Sequence, residues 1–280
     1  MITDKETNTV YFSDFLRSED EYKTTFERIK TILDKHQIKY KFLLETKDIW
    51  CRDYMPIQIE TDEFIQFRYE PSYLKSELRL QSNPKTVLKT NGFNAKFSNI
   101  NLDGGNVIKW TDKSILTTRI FKENPKFTPT ELTKELERLL KTEILLIPDI
   151  AEDMTGHADG HLRFIDSNTV LVNELKGEFK YWRDEFLKMV KQSGLDFIEI
   201  PWFEHRDRNY KDSAIGGYVN YLEIGKVILF PIFEIKGNKD KEAIATIKKV
   251  FPDRIIEPIN VNEIAKHGGL LNCVTWTIKR

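Results

Sequence analysis

The segment Gly156-His157-Ala158-Asp159-Gly160-His161-Leu162-Arg163-Phe164 lies between two apolar runs, Ile144 to Ile147 and Thr169 to Val172. That setting predicts a strand, a turn and a strand, with the turn at the end of a sheet. If Gly156 to Gly160 is extended, His157 and Asp159 share a face, because alternate side chains of a strand point the same way. A general acid/base candidate then stands beside a carboxylate, with glycines that let a ligand approach the backbone. Three readings fit this segment alone. It is a surface loop with an internal pair, or a metal site using His157, Asp159 and His161, or a base serving a nucleophile held elsewhere in the chain.

The glycine of this segment belongs to a series. Marks fall at Gly104, Gly160, Gly216 and Gly268, with steps of 56, 56 and 52 residues, and Asp53 lies 51 residues before Gly104. Strand patterns flank the marks, and amphipathic patterns fill most of the gaps: Glu19 to His36, Thr130 to Leu140, Phe179 to Lys191 and Lys239 to Phe251. The stretch Lys75 to Leu88 is polar and reads as a helix interrupted at Pro84. Five units of similar size predict a closed, repeated α/β array rather than an open sheet of parallel crossovers, formed by residues 1–280 as one domain. Closure would bring Asp53, Asp103, His157, Asp159, Asn220 and Cys273 towards one axis.

Composition narrows the function classes. Net charge is -1, from 43 basic and 44 acidic residues, so no overall field invites nucleic acid or an anionic membrane. Two cysteines, Cys51 and Cys273, give no disulfide framework. The polar start Met1 to Thr9 is unlike a signal peptide, and the longest apolar run, near Val227 to Ile235, contains Pro231 and is too short to span a bilayer. A cytoplasmic protein acting on a small molecule is the expectation, and a homodimer is compatible with the chain.

The collected side chains need a partner. Grouped carboxylates repel and lose solvation unless a cation neutralises them. A guanidinium is planar and forked, so two carboxylates can each take a pair of its N–H groups, leaving the central carbon open above the plane. A Cys273 thiolate could attack there, and His157 could protonate the departing amine and then activate water. Taken singly, these residues have plainer readings: Cys273 a buried thiol, Asp103 a turn residue, Asn220 a backbone partner, and Asp53 an ion pair with Arg52.

Several motifs together resemble a known family. Trp50-Cys51-Arg52-Asp53-Tyr54-Met55-Pro56 is similar to the Trp-x-Arg-Asp-x-Gly-Pro of agmatine deiminases and bacterial peptidyl-arginine deiminases. Asp103-Gly104-Gly105-Asn106 resembles their Glu-Gly-Gly-Asn, and His157-Ala158-Asp159 their His-x-Asp. Tyr218-Val219-Asn220-Tyr221 resembles a Tyr-x-Asn-Phe segment, and Gly268-Gly269-Leu270-Leu271-Asn272-Cys273-Val274-Thr275 the stretch around the nucleophile. The resemblance runs in order from about residue 40 to the C-terminus. It implies a pentein fold, a five-bladed α/β propeller with its site on the axis. It also implies hydrolysis of a guanidino substrate (agmatine first, or free or peptidyl arginine) to a ureido product and ammonia through a thiouronium on Cys273.

By the same resemblance, Asp53 and Asp159 clamp the guanidinium, His157 is the acid/base, and Asp103 supports His157 and the substrate. Asn220, Trp50 and Gly269 line the substrate, and no cofactor or metal is needed. The chain departs from the pattern at Met55, Asp103 and Asn272, which replace Gly, Glu and His. A metal-dependent hydrolase built on His157, Asp159 and His161 and a non-catalytic binder of guanidino ligands are the competing readings.

Overall fold

The computed structural model describes residues 1–205 and 207–280. It contains five three-stranded sheets, each built in the same way. Strands β1 (Thr9–Ser13) and β2 (Lys39–Leu43) run parallel. Next come β3 (Ile57–Glu60), β4 (Glu63–Arg68) and β5 (Lys96–Asn101), then β6 (Ile108–Lys109), β7 (Lys113–Thr117) and β8 (Glu143–Ile147). The fourth sheet is β9 (Leu162–Phe164), β10 (Thr169–Asn173) and β11 (Asp196–Ile200), and the fifth is β12 (Leu222–Ile224), β13 (Val227–Ile232) and β14 (Ile255–Asn260). In these four, the first two strands form an antiparallel pair and the third returns parallel to the middle one.

The first sheet completes the pattern with the far end of the chain. Its antiparallel partner to β1 is β15 (Trp276–Ile278), with Tyr11 opposite Trp276. Residues 9–13 and 276–278 therefore share one blade, which ties the first blade to the last segment of the chain. This is the five-bladed α/β propeller expected from the repeat.

Helices connect the parallel strands, and their sequences explain why. Asp20–Lys35 buries Phe26, Ile29 and Leu33, spaced three and four apart, and leaves its other face charged. Each such side chain contributes on the order of 1.5–3 kcal/mol by leaving water. Pro129–Leu140 begins with a capping box, in which the Thr128 hydroxyl accepts from Glu131 N and the Glu131 carboxylate accepts from Thr128 N. Lys180–Ser193 ends on Gly194 at φ 66°, a left-handed conformation that suits glycine.

Two local expectations need correction. Pro84 does not interrupt a helix but starts one, Pro84–Thr90, with the Asn83 side chain accepting from Thr86 N. Proline fits the first helical position because the N–H it lacks has no helical partner there. Nor is Gly156 to Gly160 extended throughout: His157 is (φ -80°, ψ 140°), but Ala158–Gly160 forms a 3-10 turn. His157 and Asp159 are brought together by that turn and not by strand alternation.

Candidate active site

One short helix and three turns converge on a cleft of about 1190 Å³. Helix Cys51–Tyr54 carries Asp53, the turn Gly104–Asn106 follows Asp103, the turn Ala158–Gly160 carries Asp159, and the segment after Gly268 carries Cys273. Leu270, Leu271 and Val274 are packed into the apolar core that also holds β1 and β13, which pins the segment and leaves Cys273 half-buried towards the cleft. Thr275 Oγ1 donates to the Leu271 and Asn272 carbonyls and closes the same turn.

Asp53, His157, Asp159, Asn220, Cys273, Trp50 and Gly269 line the cleft. Asp103 does not; it stands behind His157, where its Oδ2 meets His157 Nε2 at 2.9 Å and accepts from Tyr73 Oη at 3.0 Å. The other ring nitrogen, Nδ1, faces Asp53 Oδ1 at 3.6 Å. Asp53 Oδ1 also accepts from Gly105 N at 3.0 Å. On the far wall, Cys273 Sγ lies 3.6 Å from Asp159 Oδ2 and 3.3 Å from Asn220 Nδ2. Asn272 Nδ2 donates to Asp159 Oδ2 at 2.7 Å, and Asn272 N donates to Asn220 Oδ1 at 3.1 Å.

Electrostatics follow from this crowding. Burial alone would strip the proton from His157, but Asp53, Asp103 and Asp159 outweigh it and hold the imidazolium well above the usual range. Burial pushes the Asp53 carboxyl up, with His157 opposing and Asp103 and Asp159 adding to the rise. Burial likewise pushes the Cys273 thiol up, reinforced by Asp159 and Asp53. The site without substrate therefore favours a thiol and an imidazolium among carboxylates. A planar cation placed between Asp53 and Asp159 would reverse the pressure on the sulfur, since opposite charge favours the thiolate.

Several side chains settle elsewhere. His161 does not join His157 and Asp159: its ring packs tilted against Trp182, with nitrogens 3.6 Å from Asp153 and 3.7 Å from Glu178. Among the described residues, no group of three or more His, Cys, Asp or Glu could hold a metal ion. Arg52 makes no ion pair with Asp53; its Nε donates to the Asn272 carbonyl at 3.3 Å. Cys51 is fully buried against the Tyr11 and Val274 carbonyls. Trp202, like Trp50, lines the cleft, whereas Trp110 packs on Phe164 and Trp276 on Tyr11 and Phe93.

Three contributors were not marked as site residues by the sequence. Tyr73 sits in the polar stretch after β4, where no periodicity or motif marks it. Asn272 stood out only as a departure, although its amide anchors Asp159. A third is Asp48, in the cleft wall, whose carboxylate accepts from Trp50 N at 2.9 Å and is pushed up to about 7 by burial.

Comparisons with known proteins agree with this architecture. The Porphyromonas-type peptidyl-arginine deiminase model matches residues 2–278. A relative from Listeria monocytogenes is 38% identical over 205 residues, covering 63% of this chain and 54% of that protein. Agmatine deiminase from Pseudomonas aeruginosa is 23% identical over 229 residues, covering 70% of this chain and 60% of that enzyme. The matched region thus spans a little over half the length of these curated relatives. Among solved structures, C. jejuni agmatine deiminase superposes with a TM-score of 0.80 at 17% identity, over 100% of this chain and 95% of that one. That likeness speaks for the pentein fold. The match along nearly the whole sequence decides the family: this chain belongs to the Porphyromonas-type peptidyl-arginine deiminases.

Proposed function

We propose that residues 1–280 act as one hydrolytic deiminase domain on a guanidino substrate, with agmatine preferred, giving a ureido product and ammonia. The observation that carries the reading is the convergence of Cys273, His157, Asp53 and Asp159 on one acid-lined cleft. Asp53 and Asp159 take the guanidinium N–H groups, and Trp50, Gly269 and Asn220 shape the space around them. The cation draws the thiol proton out to solvent, and the Cys273 thiolate bonds to the guanidinium carbon. The His157 imidazolium gives its proton to one nitrogen, which leaves as ammonia, and a thiouronium remains on sulfur. Neutral His157 then takes a proton from water as the hydroxide adds to the same carbon. The carbon–sulfur bond breaks, thiolate is restored, and the ureido product loses its extra proton to solvent.

The rim selects among guanidines. Glu19, Glu21, Glu77, Glu152 and Asp212 line the cleft, while its described lysine and arginine cations, Lys47, Arg79 and Lys211, are all exposed. An amine tail is welcome there, and the α-carboxylate of free arginine is not. Like charges brought together cost several kcal/mol, so agmatine should exceed arginine in kcat/KM by at least about tenfold. Peptidyl arginine lacks that carboxylate and stands second.

The test is ammonia release from agmatine, arginine and arginyl peptides, with and without chelator. Turnover should survive chelation and disappear in Cys273→Ser, which should still bind agmatine. Ammonia release from none of these substrates would sink the reading. Loss of turnover on chelation would restore the metal-dependent alternative.

A further inference from the structure

We infer that a monatomic anion of chloride's size binds behind the active site, between the Arg52 guanidinium, Lys109 and the Thr277 hydroxyl. Arg52 and Asp53 are neighbours on helix Cys51–Tyr54 but face different spaces. Asp53 lines the large cleft, and Arg52 lines a small cavity of about 20 Å³ with Gly104, Lys109, Trp276 and Thr277. Two buried polar atoms of these lining residues, Arg52 Nη2 and Thr277 Oγ1, have no hydrogen-bond partner among the described residues. Arg52 is 9% exposed and Thr277 2%. A buried donor left unpaired costs about 1–3 kcal/mol, more when charged, so two beside one cavity point to something that accepts from both.

Charge distinguishes the occupant. Lys109 Nζ lies 3.1 Å from Asp4 Oδ1, and Asp4 also pairs with Arg163. Arg52, Lys109 and Arg163 are thus three buried cations around one carboxylate, while nearby Glu223 is engaged by Arg254 at 3.4 Å. Burial lowers the Lys109 pKa; Asp4 opposes this, and Arg52 and Arg163 add to the fall. No carboxylate of the described residues lines the cavity. Asp4 Oδ1 also lacks a hydrogen-bond partner among the described residues, but a water accepts from at most two donors, whereas a halide accepts from Arg52, Lys109 and Thr277 together. The space exceeds the roughly 10–15 Å³ that one water requires and is too small for sulfate or phosphate.

The position matters for the cleft. Arg52 N donates to the Cys273 carbonyl at 3.2 Å and Arg52 Nε to the Asn272 carbonyl, so an ion holding the guanidinium braces the Cys273 segment from behind.

Two measurements test this. Crystals grown without chloride and soaked in sodium bromide should show an anomalous peak between Arg52 Nη2 and Thr277 Oγ1; an ordered water without anomalous signal overturns the inference. In solution, Tm should rise by about 2 °C per tenfold increase in chloride above half-saturation, with gluconate holding ionic strength constant. The rise should vanish in Lys109→Met and in the near-isosteric Thr277→Val, which covers the case where the former does not fold. A wild-type Tm indifferent to chloride, or a folded variant with the full response, refutes it.

Discussion

Replacing Gly105 by alanine probes the geometry of the site with one methyl group. An ideal Cβ at Gly105 would lie 2.6 Å from Asp53 Oδ1 and 2.6 Å from His157 Nδ1, whereas ordinary contact starts near 3.4 Å. Both groups would have to give by up to 0.8 Å, the difference between those distances. The turn cannot easily retreat instead, because the space beside Gly104 is filled by the Arg52 carbonyl, 2.1 Å from where a Cβ would sit. Nor can His157 swing freely, since Asp103 and Tyr73 hold its far side. A displacement near 1 Å in a reacting group can cost on the order of 100-fold in rate, and overpacking typically costs about 1–3 kcal/mol of stability. Gly105→Ala should therefore lower kcat for ammonia release by about 100-fold and Tm by a few degrees, on the order of 2–5 °C. Gly160→Ala is the control: Gly160 also lines the cleft, yet a Cβ there meets nothing within 4 Å. A folded Gly105→Ala enzyme with kcat within about threefold of wild type, or an equal loss in Gly160→Ala, would refute the claim that close packing positions the acid and base.

Tyr73→Phe removes one hydrogen bond to Asp103 and no cleft volume; kcat should fall by about 3–10-fold, and the pH profile of kcat/KM should shift while KM for agmatine holds. An unchanged profile would make Tyr73 a packing residue only. Asn272→Asp keeps the shape but sets a second carboxylate where the amide now donates to Asp159 at 2.7 Å; turnover should fall at least tenfold at neutral pH and partly recover in acid, and indifference would remove Asn272 from the positioning network. For Asp48, the carboxyl is raised from its usual 3.8 to about 7, so the folded state holds the proton that the unfolded state loses. Its contribution to stability is full below about pH 4 and is lost as pH rises towards 7. Asp48→Asn, which can still accept from Trp50 N, should stabilise the protein by about 1–4 kcal/mol at pH 8 and little at pH 4, read by denaturant titration; an equal effect at both values contradicts the assigned burial.

The repeat was legible because several of its marks are physical necessities. Gly216 has φ 104° and would drive a Cβ to 2.0 Å from the Phe203 carbonyl, and Gly268 has φ 94° with the Asp212 carbonyl close by. Gly104 has its own blockade by Arg52. Gly160 does not: it has open space beside it, so its place in the series reflects the position of the turn and not a packing demand. The helices were readable from stripes such as Phe26, Ile29 and Leu33, since burial on one face imposes that spacing. The 3-10 turn at Ala158–Gly160 was not, because a five-residue polar segment carries no period to distinguish extended chain from a turn. Tyr73 was invisible for a related reason. Its role exists only after β4 and the following turns bring residues 30 and 84 positions away, Asp103 and His157, against it.

The three departures from the family pattern become intelligible through the same contacts. Met55 replaces a glycine, but its φ of -93° and ψ of 153° are ordinary extended backbone that any residue adopts, and its side chain is buried. Asn272 replaces a histidine, and its amide N–H donates to Asp159, so a donor stands there without a titrating ring. Asp103 is one methylene shorter than glutamate, and its Oδ2 serves His157 and Tyr73 together. It stays behind the imidazole and outside the cleft, whereas Asp53 and Asp159, the proposed guanidinium partners, line it. With Asp103 behind the imidazole and an amide at position 272, the proton traffic of the proposed reaction falls to His157, and the carboxylates around it set how firmly that proton is held.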